Sequence, residues 1–455
     1  MGRMLRLVAA RPHVLVIPTP AATRIRLAVE QQVAARGWVA ALTPADADIL
    51  VVCGTAGGDL EAAAAAVWEQ LPGPRARIDI DRVGDLPAAL GAATARLSDA
   101  AAQRTDAAGR IEARPSRLAA VTDVSTPNQE RDGGHDMSAG HGGGHDMEAG
   151  HDDRQDIGAG DEDAQDVGSG HGERHPGHGD AHAGPDGMHA DHGHGTAMPG
   201  GLAMARRGED RDGLKLDRLH VPVGPVLPDW PAGLVLHTVM QGDVLQAVRP
   251  EVLGDAPSGG RPFWDEPALA TRDGEPVGWD EWRRRHAAAY LDSVGRFLSV
   301  TGWAMAGARA RLLRDQLMTG GDLGRARVGL ETLHRRVRRS RVLRWLTDGL
   351  GHLDARTAHQ YGVTGPALRA AGDVTRRVWQ WLEEARALLA ADGAVYADEG
   401  PRGRLDGETL PSHALVHLLP PLLTGLDIST ARVVVASFDP DPDELAVPAL
   451  ERVHG

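Results

Sequence analysis

Apolar positions in the first hundred residues fall into short runs separated by stretches with helical spacing. His13-Val14-Leu15-Val16-Ile17 is one such run, stopped by Pro18, and it predicts a strand. Ile25, Leu27, Val29 and Val33 follow at helical intervals until Gly37, and Trp38 to Leu42 reads as a second strand. Asp48-Ile49-Leu50-Val51-Val52-Cys53 is a continuous apolar run ending at Gly54, the pattern of a strand covered on both faces. Asp59 is placed to cap a helix over Leu60 to Leu71, which Pro72-Gly73-Pro74 ends. Arg77 to Ile80 predicts a further strand and Leu86 to Leu97 a further helix. Strands alternating with helices imply a parallel, flavodoxin-like sheet with helices on both faces.

The pattern then collapses. From about residue 105 to 212 Gly, Asp, His and Ala dominate and large aliphatic residues nearly vanish. Such a segment buries too little apolar surface to offset its ordering entropy, so a disordered linker is expected. Globular patterning returns at 213. Leu219 to Val223, Leu234 to Met240 and Val244 to Val248 read as strands, the last two joined by a Gln241-Gly242-Asp243 turn. Helical spacing takes over from Trp279 to Met318, continues through Leu330, Leu333 and Val337, and recurs over Val374 to Leu389 and Ser412 to Leu423. The expected architecture is an α/β domain over 1–104, a His/Gly/Asp-rich linker over 105–212, and an α+β domain over 213–455. The last combines a small antiparallel sheet with a bundle of long helices.

Charge and composition narrow the chemistry. A formal net charge of −14 argues against binding nucleic acid through the whole surface. No long apolar run predicts a transmembrane helix, and the N-terminal apolar stretch is too short for an export signal, so a cytoplasmic chain is expected. The one cysteine, Cys53, cannot hold an iron–sulfur cluster by itself and reads as a small buried hydrophobe. The linker holds 11 of the 21 histidines. Those at His171, His175, His178, His182, His189, His192 and His194 are spaced for loose nickel or zinc binding. His413 and His417 lie four apart, a chelating interval, but the residue after His413 is alanine, not the glutamate of a metalloprotease. The eight arginines between Arg325 and Arg344, above an apolar stripe, read either as a solvated helix face or as a docking surface for an acidic partner or anionic membrane.

Three segments in order, Gly224 to Asp243, Gly362 to Gly372 and Leu418 to Pro440, together resemble one family: the large subunits shared by bacterial NADH:quinone oxidoreductase (complex I) and the nickel–iron hydrogenases. Gly224-Pro225-Val226-Leu227-Pro228, with Gly233-Leu234-Val235-Leu236 and Gly242-Asp243 behind it, resembles the N-terminal hairpin of the complex I member. Gly362-Val363-Thr364-Gly365-Pro366-Ala367-Leu368-Arg369-Ala370-Ala371-Gly372 is similar to that family's Gly-Pro-x-Leu-Arg loop. Leu418 to Gly425, then Ala436-Ser437-Phe438-Asp439-Pro440, is similar to its C-terminal segment near the active cavity. In the N-terminal region Pro44 to Thr55 and Trp68 to Pro74 resemble the family's docking partner, the cluster-bearing small subunit of complex I and the hydrogenases. The resemblance implies an oxidoreductase ancestry, two parental subunits fused and docked on each other, and partner subunits in a membrane assembly.

What the family uses for chemistry is missing. Neither Pro18-Thr19-Pro20-Ala21-Ala22-Thr23 nor Asp81-Arg82-Val83-Gly84-Asp85 offers the thiolates that hold the parental cluster. The C-terminal region has no Cys-x-x-Cys pair for nickel and iron, and Leu227 stands where complex I places a histidine near the quinone headgroup. We therefore expect no iron–sulfur or nickel–iron cofactor. The expected role is a catalytically silent scaffold or coupling subunit, peripheral on the inner face of the cell membrane. Metal buffering by the linker, and residual quinone chemistry fed by a partner's clusters, are the alternatives.

Overall fold

The computed structural model describes residues 2–123, 207–209, 215–254, 260–394, 396 and 398–447. Most of the expected linker, with its seven singled-out histidines from His171 to His194, lies outside the described residues.

The N-terminal part runs α1 (Gly2–Ala10), β1 (His13–Pro18), α2 (Thr23–Ala35), β2 (Val39–Ala40), β3 (Ile49–Cys53), α3 (Gly58–Gln70), β4 (Ala76–Ile80), α4 (Leu86–Ser98) and α5 (Ala100–Asp123). Its four strands are parallel in the order β2-β1-β3-β4, the beginning of a flavodoxin-type sheet. All five residues of β3 are buried, and the two faces of the strand feed separate apolar clusters. Ile49, Val51 and Cys53 pack with Val29, Val33 and Leu90. Leu50 and Val52 pack with Ala64, Val67 and Leu71. The period-two geometry of a strand divides one apolar run between both layers of helices.

Local details differ from the sequence reading. Asp59 does not cap α3: the helix starts two residues earlier than expected, at Gly58, and Gly57 occupies the cap without a side-chain bond. Only Val39–Ala40 of the Trp38–Leu42 run pairs as strand. Regular structure also continues past 104, through α5.

The C-terminal part opens with an antiparallel sheet in sequence order, β5 (Arg207–Glu209), β6 (Lys215–Val223), β7 (Leu234–Gln241) and β8 (Val244–Val252). Helices α6 (Glu266–Arg272), α7 (Trp279–Val300), α8 (Ala304–Met318), α9 (Leu323–Arg339), α10 (Arg341–Thr347), α11 (Ala355–Gln360), α12 (Gly365–Ala370), α13 (Val374–Ala390), α14 (Pro411–Leu423), α15 (Ile428–Phe438) and α16 (Pro442–Leu445) follow. The helical pattern over 279–318 is two helices, broken where Gly302 adopts a positive φ of 79°. The arginine-rich stretch likewise divides at Ser340, whose hydroxyl caps α10 by accepting from the Leu343 N–H. α7 forms the bundle's axis: His286 to Leu298 are buried without interruption, as expected of a helix packed on every side.

The two parts form one compact unit, comprising residues 1–117 and 204–455. Leu27 of α2 belongs to the core of the C-terminal part, and Val226 packs on the N-terminal sheet's cluster. Among the described residues no helix is long and apolar enough to cross a bilayer.

Candidate functional site

The seam between the two parts is held by buried charge. On α2, Arg26 and Glu30 stand one turn apart and pair at 2.8 Å. Arg26 also reaches Asp292 of α7 at 2.7 Å. Arg314 of α8 closes the ring, binding Glu30 at 2.7 Å and Asp292 at 2.6 Å. Arg311 adds a bond to Asp229 in the β6–β7 loop. Asp292 and Arg314 are each 1% exposed at the side chain. Burial alone would raise the Glu30 carboxyl, but Arg26, Arg314 and Arg311 outweigh it and hold it at about 2. The same balance, with Arg26 and Arg314 as the leading cations, keeps Asp292 far below the ordinary carboxylate range. Both acids therefore stay ionised, and the four-membered ring is a bonded network rather than a set of stranded charges.

Beside this ring lies a cavity of about 440 Å³ lined by both parts. Val14, Val33 and Trp38 contribute apolar wall from one side, and Leu227, Trp230 and Trp264 from the other. Its polar lining includes Thr19, Thr23, Arg26, Arg296, Arg402 and Asp441. An apolar chamber with a few convergent polar groups has the anatomy of a small-molecule site.

A second buried cluster adjoins it. Asp265, just ahead of α6, meets Asp441 and Glu444 of the α16 turn, with one oxygen of each within 4.8 Å of the others. Asp265 and Glu444 are 0% exposed and Asp441 2%. Their outer bonds are specific. The Ser412 N–H donates to Glu444 Oε2 at 2.7 Å, and the Asp443 N–H donates to Asp441 Oδ1 at 3.0 Å. Ser412 Oγ accepts the Asp441 N–H at 2.7 Å. Asp443 itself faces the seam and accepts from the Thr23 hydroxyl at 2.8 Å. Arg402 and Arg296 both bind neighbouring Asp439, at 2.7 and 2.9 Å. Burial, then the charges of Glu444 and Asp441, push Asp265 well above the usual carboxylate range. Burial followed by Asp443 and Glu444 does the same to Asp441.

The residues singled out by sequence divide around this site. Leu227 and Pro228 line the cavity beside Asp229. Gly224 turns the chain out of β6 with φ 101°, and a Cβ there would lie 2.2 Å from the Leu234 carbonyl oxygen, which explains Gly224-Pro225 without reference to a ligand. Gly365 is equally constrained: its φ is 66° and a Cβ would meet Gly403 Cα at 2.6 Å. Gly365 and Pro366 begin α12, and Pro366 packs beside Arg402 and Phe438. Gly362, φ 71°, ends the turn after α11. Arg369 is not at the cavity: it pairs with Glu384 at 2.6 Å and Glu399 at 2.7 Å. The Gly372 carbonyl accepts from buried Arg377 at 2.9 Å. Asp439 and Pro440 are buried next to the acidic cluster, Asp439 as the arginine acceptor. His413 and His417 both sit on α14, one half-buried and the other exposed. Cys53 lies in the sheet core, where burial pushes its thiol well above the usual range.

The acids and arginines of the seam were not singled out from sequence. Arg26 and Glu30 have the spacing of a solvated helix pair, and nothing local marks them as buried. The run Asp439-Pro440-Asp441-Pro442-Asp443-Glu444 did carry a signal, since it interrupts an apolar stretch on both sides.

No protein-family model matches the chain, and no curated protein matches it. Among solved structures it is similar to a chain in a structure of the membrane-bound sulfane sulfur reductase, an archaeal respiratory membrane complex. The TM-score is 0.38 and the identity 17%, over 51% of this chain and 99% of that one.

Proposed function

We propose that this chain is a subunit of a membrane-associated assembly related to NADH:quinone oxidoreductase, in which it transfers no electrons and serves as scaffold or coupling element. One observation carries the reading. The two parts that resemble the parental pair are joined across α2, α7 and α8 by a closed, buried ion network, while the whole chain has a single thiol, sequestered in the sheet core. Interface chemistry is elaborate where cluster-ligand chemistry is absent. Four soft donors are the ordinary requirement of an iron–sulfur cluster, and the loop after β1, Thr19 to Ala22, is instead packed against the C-terminal part. There a Cβ on Gly233 would meet Pro20 Cγ at 2.8 Å.

The cavity between the parts fits coupling. A ligand or a partner's side chain entering it would meet Arg26, Arg296 and Arg402 directly. Arg26 belongs to the ring that fixes the two parts together, and Arg296 and Arg402 hold Asp439 beside it. Occupancy would thereby be linked to the seam's stability, which is how binding biases a conformational equilibrium. Anaerobic reconstitution with iron and sulfide, followed by electron paramagnetic resonance of the reduced full-length chain, tests the electron-transfer part of the proposal. The expected result is no cluster spectrum. A stoichiometric cluster retained by this chain would return it to the electron carriers.

A further inference from the structure

The acidic cluster is built in a way that burial of three carboxylates does not require. One oxygen of Asp441 and one of Glu444 are tied to a backbone N–H, from Asp443 and Ser412 respectively. The remaining oxygens, Asp441 Oδ2 and Glu444 Oε1, have no hydrogen-bond partner. Asp265 receives no N–H on either oxygen and meets only the Glu444 carboxyl, although it is 0% exposed. These unpartnered carboxylate oxygens belong to a cluster in which one ligand atom of each residue lies within 4.8 Å of the others. Arg402 is the cation that opposes them; its Nε and Nη2 bind Asp439, and its buried Nη1 has no hydrogen-bond partner. Buried acceptors left without a donor are costly, and more so when charged, so such a group of them calls for a ligand.

We propose that Asp265, Asp441 and Glu444 hold one hard divalent cation, of the Mg²⁺ or Mn²⁺ class. The donor set is all oxygen and all carboxylate, which suits these ions and disfavours nickel or zinc, whose preference is for imidazole and thiolate. Ser412 and Asp443 supply the outer bonds that orient ligating carboxylates. Asp441 also lines the cavity, which gives the ion a route in and leaves room for the waters such ions retain. The cation would tie the start of α6 to α16 at the seam, because Asp443, between the two α16 ligands, accepts from Thr23 of the N-terminal part.

Metal-stripped full-length protein titrated with Mn²⁺, with the free-ion signal followed by electron paramagnetic resonance, provides the test. Wild type is expected to take up one equivalent that Mg²⁺ displaces. Asp265→Asn and Glu444→Gln are each expected to lack that equivalent. The histidine-rich segment is unchanged in both variants, so any ion it binds cancels. Thermal unfolding gives a second readout independent of counting ions: Mn²⁺ should raise the wild-type unfolding temperature and leave either folded variant unmoved. If Asp265→Asn fails to fold, the Glu444→Gln comparison stands alone. Equal uptake by wild type and variants, or no uptake by folded wild type, overturns the proposal and leaves three carboxyl groups sharing protons.

Discussion

Asp292 is the residue on which the seam turns. It accepts from Arg26 and Arg314 at once and is buried from water. Replacing it with asparagine would leave two buried guanidiniums short of a counter-ion. Asp292→Asn should lower the unfolding free energy by about 3–5 kcal/mol in urea titrations, the usual penalty for stranding a buried charge. Loss of the more exposed Arg77–Glu61 pair should cost no more than about 1 kcal/mol. Two titratable residues, beside Asp292 itself, contribute to the acid limb of stability. His286 is buried, stacked 3.9 Å from Trp282, and burial lowers its pKa from 6.5 to about 4. The unfolded chain therefore takes up that proton first, and stability falls as pH drops from 6.5 towards 4. Glu30, held at about 2 against an ordinary 4.5, adds a second loss that begins only below 4.5. Urea midpoints measured across this range should show His286→Asn flattening the upper window and Glu30→Gln the lower one. At this scale the sequence was least legible. An arginine and a glutamate at i and i+4 look the same on a wet helix as on a buried one, and only tertiary packing decides between them.

Elements were far more legible, because their signals are local. The unbroken Ile49–Cys53 run has the pattern of a strand covered on both faces, and the strand is buried at every position. The errors lie where a local rule had a near competitor. Asp59 is a good cap type placed too late, while Gly57 in extended conformation begins the helix without a side-chain bond. The apolar spacing of α7 and α8 is continuous through Gly302, whose positive φ makes the break. Caps that do form are open to test. Asp373 accepts from the Arg376 N–H at the start of α13 and from the Gly349 N–H at 2.8 Å. Asp373→Ala should cost about 1–2 kcal/mol of stability by calorimetry or urea titration. Gly365→Ala should cost more than about 1 kcal/mol, since the new methyl meets backbone in a conformation that L-residues avoid. A family-like Gly-Pro loop is thus maintained here for a steric reason that can be measured apart from any chemistry.

For the whole molecule, the sequence yields two globular parts, while their union is a property of the fold. α2 carries a face that belongs to the C-terminal core through Leu27 and a charge ring completed by α7 and α8. Full-length protein carrying a protease site after Gly160 should therefore keep both fragments together on size exclusion after cleavage, and Asp292→Asn should loosen them. The wider claim is that this joined shape is retained for an assembly and not for electron transfer. The decisive measurement is affinity purification of the tagged full-length chain from detergent-solubilised membranes of its native host, with subunit stoichiometry read by quantitative mass spectrometry. Co-purification in fixed ratio with polytopic subunits of a respiratory-type complex is expected. Recovery of the chain alone, with no membrane subunit at fixed ratio, would refute the assembly role.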